Sequence, residues 1–168
     1  SRFAGMMAAH FEGRVSHFIT LNEPQIVLKL GYADGIHAPG KRLSLPELVS
    51  CWKNLMLAHG LSFRAIRKAA PEALIGIAST GKLCYPHSPA DEDAARQETF
   101  RLTDSDWMFT HAIVLDAVCL GRAEPEAGAL RKLLSEVTPE EWDTMHAVPD
   151  FIGVNSYNGS EIAAGPDG

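Results

Sequence analysis

The sequence predicts an α/β domain built on a parallel sheet. Two observations lead there. Three short runs, 14–21, 73–78 and 150–155, are rich in apolar and β-branched residues. The long intervals between them carry helical patterns with start signals, and strands separated by helices lie parallel in one sheet. At 168 residues and 46% hydrophobic, the chain can bury a core and is too apolar to be disordered. It is short for a complete (β/α)8 barrel, which takes about 250 residues.

The elements follow in order. RVSHFITL (14–21) reads as a strand. Ser44-Leu45-Pro46-Glu47 is a capping box with proline in the first turn. Beyond it Leu48, Trp52, Leu55, His59, Phe63 and Ile66 recur at helical spacing, so one amphipathic helix is expected to run to about Pro71. ALIGIA (73–78) is a second, buried strand. Ser88-Pro89 starts another helix. Asp104 or Ser105 is expected to cap a third, running through the apolar stretch 107–120 to Gly121, and Pro125 to open a fourth. Thr138-Pro139-Glu140-Glu141 is again a capping box. Pro149 ends that helix before the third strand, DFIGVN. The tail 163–168 has little to pack and is expected to fray. The two long connections, 22–72 and 79–149, are where a parallel scaffold usually carries function.

Composition excludes several classes. With 15 Lys+Arg against 21 Asp+Glu, the net charge is −6, which argues against a nucleic-acid surface. The stretch 107–120 is broken by Thr110, His111 and Asp116 and is too short to span a bilayer. Cys51, Cys84 and Cys119 are widely spaced with no Cys-x-x-Cys, which suits free thiols in a reducing compartment. No charged-plus-apolar leader pattern is visible, and a cytoplasmic location is expected. His10, His17, His37, His87, His111 and His146 have no metal-ligand spacing, and His59 lies on an apolar helix stripe, where a packed, hydrogen-bonded histidine is expected. No nucleotide-binding or nucleophile-elbow motif occurs, so neither cofactor nor metal is expected.

Two strand ends carry candidate chemistry. The first run stops at Asn22-Glu23-Pro24, and in parallel α/β folds the C-terminal strand ends form the functional face. A carboxyl partly out of water there can serve as a general acid. The competing reading makes Asn22 a helix cap, with Glu23 favoured by the helix dipole. The third run ends in Asn155-Ser156-Tyr157, with Gly153, Asn155 and Tyr157 on one face by strand periodicity. An amide and a phenol there suit hydroxyl binding. Turn chemistry is the competing reading, since Asn158-Gly159 follows.

Together these motifs resemble glycoside hydrolase family 1, the β-glucosidase family. Phe18-Ile19-Thr20-Leu21-Asn22-Glu23-Pro24 resembles its W-x-T-x-N-E-P strand, and GYADGIHAPG (31–40) its G-Y-x-x-G-x-H-A-P-G loop. NLMLAHG (54–60) is similar to the helix motif N-L-L-x-A-H, Ile75-Gly76-Ile77 to the next strand, and DFIGVNSY (150–157) to D-F-x-G-x-N-Y-Y. The resemblance implies a retaining β-glycosidase on a (β/α)8 barrel, acting on β-glycosides or oligosaccharides. It makes Glu23 the general acid/base, Asn22 the amide bonded to the sugar 2-hydroxyl, and Asn155 and Tyr157 pocket residues of the sixth strand. Glu rather than the Gln of plant thioglucosidases at position 23 implies O-glycosidase chemistry.

The departures are specific. Phe18 replaces a Trp, and Gln25 stands where an aromatic is common, which removes an aglycone-stacking contact. Ala112 replaces a Pro, Arg122-Ala123-Glu124-Pro125 a Gly-adjacent Tyr-Pro, and Ser156 a Tyr. The nucleophile motif T/I-E-N-G and the early sugar-binding motifs Q-x-E-G and H-W-D-x-P do not occur. Ser1-Arg2-Phe3-Ala4 falls where the family is inside its third helix. The chain thus corresponds to about strands four to six of a partial catalytic domain, residues 1–168. The expectation is a piece inactive by itself, whose partner is the remainder of the barrel or a second copy. A non-catalytic sugar-binding or barrel-completing piece is the alternative.

Overall fold

The computed structural model describes residues 1–165. Its elements are α1 (Arg2–Phe11), β1 (His17–Asn22), the short α2 (Pro24–Ile26), α3 (Leu45–Ala69), β2 (Leu74–Thr80), β3 (Cys84–Pro86), α4 (Glu92–Phe100), α5 (Ala112–Leu115), α6 (Ala129–Leu134), α7 (Pro139–Met145), β4 (Phe151–Asn155) and β5 (Ser160–Ile162). Wider π-helical turns extend α2 over Val27–Ala33 and α5 over Asp116–Leu120. Strands β1, β2 and β4 form one parallel sheet with β2 in the middle, as three strands separated by helices require. Three parallel strands with helices between them are the arrangement expected of part of a (β/α)8 barrel.

Helix α3 forms where its stripe and capping box place it. Glu47 accepts from the Ser44 backbone N–H at 2.8 Å, which ties down the first turn. Its buried face, Leu48, Trp52, Met56, His59 and Ile66, packs on Ile75 and Ile77 of β2 and on the α5 region. Ile75 and Ile77 are fully buried, and each contributes roughly 1.5–3 kcal/mol. Trp52 spends its indole N–H on the Ile113 carbonyl at 2.9 Å, so the large ring is buried with no orphaned donor. Trp107 is core as well. At the other end of the sheet, Asp150 accepts from Ile75 N at 2.7 Å and from Arg67 at 2.5 Å, which locks β4 to β2 and to the end of α3.

Helix α7 crosses α3 at Gly60. A Cβ on Gly60 would overlap the Thr144 carbonyl oxygen. Gly60→Ala is therefore expected to destabilise by roughly 3 kcal/mol, although alanine is the better helix former by about 1 kcal/mol. Urea unfolding checks this: the midpoint should fall with the slope unchanged.

Several elements differ from the sequence expectation. Residues 12–14 form a turn closed by Arg14 N and Val15 N on the Phe11 carbonyl, so β1 begins later, at His17, and runs to Asn22. Residues 102–111 are loop. Asp104 caps no helix after itself: its carboxylate accepts from Ala129 N and Leu130 N at 2.9 and 2.8 Å and caps α6. Those bonds hold its pKa below the ordinary carboxylate value. Pro125 lies four residues before α6 and opens nothing. The expected fraying does not begin at 163. β5 pairs with β3, and Ala164 N donates to Asp91 at 2.8 Å; residues 166–168 of that expectation lie outside the described residues. Among the described residues no helix is long and apolar enough to cross a membrane.

Candidate active site

In a parallel sheet, residues in register share a face. Ile19, Asn22, Gly76, Ala78, Thr80, Phe151, Gly153 and Asn155 therefore lie on the face opposite α3. The central strand keeps this face small, and a Cβ on Gly76 would meet the Phe151 ring at 2.5 Å. A register irregularity between Ile19 and Asn22 changes what β1 presents. Strict alternation would put Leu21 beside Ile19; the irregularity puts Asn22 opposite Ala78 instead. Leu21 packs with the core cluster.

Glu23 follows in the left-handed region, at φ 48° and ψ 57°. For a non-glycine residue this conformation costs of order 1–3 kcal/mol and persists only where the surrounding structure holds it. Pro24 behind it disfavours the right-handed helical alternative. The Glu23 N–H donates to Ala78 O at 2.8 Å, and its carbonyl accepts from Ile26 N, so the strand turns directly into a helix. Glu23 itself occupies the cap position of α2 and makes no side-chain capping bond, so the capping reading of Asn22 does not hold.

The turn delivers the Glu23 carboxyl to the end of β4. Asn155 Nδ2 donates to Glu23 Oε1 at 2.6 Å and to Asn22 Oδ1 at 3.3 Å. Tyr157 OH donates to the same Oε1 at 3.1 Å. That bond and the adjacent charge raise the Tyr157 pKa above the ordinary phenol value and keep it a donor. Thr80 Oγ1, from the strand between, donates to Asn155 O at 3.1 Å and holds the β4 end in place. The structure thus brings Asn22, Glu23, Asn155 and Tyr157 together. Among the described residues Glu23 Oε2 accepts no hydrogen bond, and no three His, Cys, Asp or Glu side chains converge as metal ligands do.

Two buried polar groupings lie behind this cluster; the helix stripe signals the burial of His59, and no spacing signals the second. His59, fully buried as its stripe position implies, gives Nε2–H to Ala147 O at 3.0 Å and receives Thr20 Oγ1 on Nδ1 at 2.7 Å. Gln25, 1% exposed, reaches Ser79 and Thr110, and Ser79 reaches His111. The partners in this second grouping are 32 to 85 residues apart in the chain, so no local pattern contains them.

Burial lowers the pKa of both His59 and His111 from the ordinary 6.5. The unfolded chain therefore takes up these protons at a higher pH than the folded one. Their contribution to stability is complete above about pH 6.5 and is lost as pH falls from there through the lowered folded values. Each histidine costs about 1.4 kcal/mol per pH unit within that window. The urea midpoint is expected to drop between pH 7.5 and pH 5.5; a flat midpoint over that range would contradict the assignment.

The profile of Glycosyl hydrolase family 1 matches residues 1–167. Beta-glucosidase 1B of Phanerodontia chrysosporium is 32% identical over 178 residues, which cover 98% of this chain and 32% of that protein. Among solved structures, virulence factor SghA with its substrate analog salicin superposes at a TM-score of 0.76 with 27% identity, covering 96% of this chain and 34% of that one. Beta-glucosidase from Thermotoga maritima in complex with cyclophellitol superposes at 0.74 with 26% identity, covering 98% and 36%. The chain spans about a third of the length of the relatives it matches.

Proposed function

The chain belongs to glycosyl hydrolase family 1, and from that membership we propose that it is the acid/base-bearing part of a retaining β-glycosidase. The observation that carries this reading is the cluster at the ends of β1 and β4, where Asn155 and Tyr157 both hydrogen-bond one oxygen of Glu23. With Oε1 so held, the catalytic proton sits on Oε2 and passes to the glycosidic oxygen as the C–O bond breaks. A second carboxylate, supplied by the rest of the barrel about 5–5.5 Å from Glu23, takes the sugar as a covalent ester. Glu23, now ionised, removes a proton from the water that cleaves that ester. Asn22 spends Oδ1 on Asn155 and keeps its own N–H groups for the sugar 2-hydroxyl, a bond that strengthens as positive charge develops on the ring.

The partner in this reading is the rest of the barrel, on the same or another polypeptide. Ile19 and Val154, on the two outer strands, are 51% and 61% exposed, and a parallel sheet needs cover on both faces. The three cysteines are free thiols, which suits the proposed cytoplasmic location. The test is hydrolysis of a β-glucoside by a polypeptide set that completes the barrel, with and without Glu23→Gln. Undiminished turnover in the variant would overturn the reading.

A further inference from the structure

We propose that Gln25 is a positioning residue for Glu23, acting with Ser79 and His111 to hold the left-handed turn that aims the carboxyl. The proposal rests on the acid/base reading of Glu23. It starts from a cost: a buried amide is unfavourable unless its hydrogen bonds are made. Gln25 makes them. Nε2 donates to Ser79 Oγ at 2.7 Å and to Thr110 O at 3.1 Å, which uses both amide hydrogens.

The direction of every bond follows. Thr110 O is a backbone carbonyl and only accepts, so the Gln25 NH2 must face it and the flipped amide is excluded. Ser79 Oγ accepts from Gln25 and gives its own hydrogen to His111 Nδ1 at 2.9 Å. His111 is then neutral, with its proton on Nε2, the form that burial favours.

The placement gives this relay its purpose. Ala78 O holds the nitrogen of residue 23, and the next residue of β2, Ser79, holds the side chain of residue 25. The strained Glu23 lies inside this clamp, with the φ of Pro24 fixed by its ring. Thr110 and His111 anchor the clamp from the loop before α5. An aromatic, common at this place in the resembling family, lacks the two amide hydrogens that here bond Ser79 and Thr110 at once.

The experiment is NMR on the full chain, with two readouts at the turn. One is the one-bond Cα–Hα coupling of Glu23, which separates positive from negative φ. The other is the titration of the Tyr157 ring, with Glu23→Gln marking where Tyr157 titrates without the neighbouring charge. Gln25→Met keeps the volume and removes the bonds. It is expected to move the coupling into the negative-φ range and to lower the Tyr157 titration toward the Glu23→Gln value. Ser79→Ala is expected to shift both in the same direction by less. If both variants leave both readouts at their parental values, the proposal is overturned. If Gln25→Met does not fold, Ser79→Ala decides alone. Failure of the acid/base reading would show in the hydrolysis assay and leave these shifts in place, so the two are distinguishable.

Discussion

The 168-residue chain by itself is expected to release no phenol from an aryl β-glucoside above the uncatalysed rate. Retaining hydrolysis divides one difficult displacement into two, and each needs both carboxyls. Glu23 is bonded to an amide and a phenol, not to a second acid, and no Glu-Asn-Gly occurs in the sequence. The proton donor alone does not form the covalent intermediate, whatever its geometry. The assay uses protein of verified mass and a sensitive chromogenic substrate. Turnover that disappears in Glu23→Gln would sink this expectation. It would mean that a carboxylate of this chain, or of a second copy, serves as nucleophile.

With the barrel completed, Glu23→Gln is expected to lower kcat/KM for an alkyl β-glucoside by roughly 10²–10⁴, or about 3–5 kcal/mol of transition-state stabilisation. The amide is nearly isosteric, and its carbonyl oxygen still accepts from Asn155 and Tyr157, so the melting transition should barely move. The loss should be smaller for a nitrophenyl glucoside, because a weakly basic leaving group needs little protonation as it departs. That dependence on the leaving group separates a lost proton donor from a disturbed pocket, which would slow both substrates alike. An equal loss for the two would place Glu23 in binding rather than in proton transfer.

The helices legible in the sequence are those whose signals are local. α3 and α7 each carry a capping box with a proline in the first turn, and α3 adds apolar residues at helical spacing. The middle strand was equally plain, since a strand buried on both faces reads as an unbroken apolar run. What failed was whatever needed a distant partner. Asp104 looked like the cap of a helix directly after it, but its carboxylate closes α6, 25 residues on. β3 and β5 have three residues each and exist only because they pair with one another. The helical turns at 24–33 show in the sequence only through the competing helix-cap reading, one residue out of place, because Pro24 both stops a strand and serves as the first residue of a helix.

The same division runs through the candidate site. The sequence by itself determined the membership of the cluster, because Asn22, Glu23, Asn155 and Tyr157 stand at the ends of two apolar runs in an order that resembles one family. Only the tertiary structure decided how they meet. Strand alternation would have turned Asn22 away from the face of Ile19, and no spacing places Glu23 in a left-handed turn. Both follow from contacts across the sheet: the irregular pairing of β1 with β2, the bond from Glu23 N to Ala78 O, and the buried reach of Gln25 to Ser79. Local propensity selects elements because neighbouring residues share one stretch of backbone. Aim is selected by long-range pairing, since the orientation of a strand end depends on a strand more than fifty residues away.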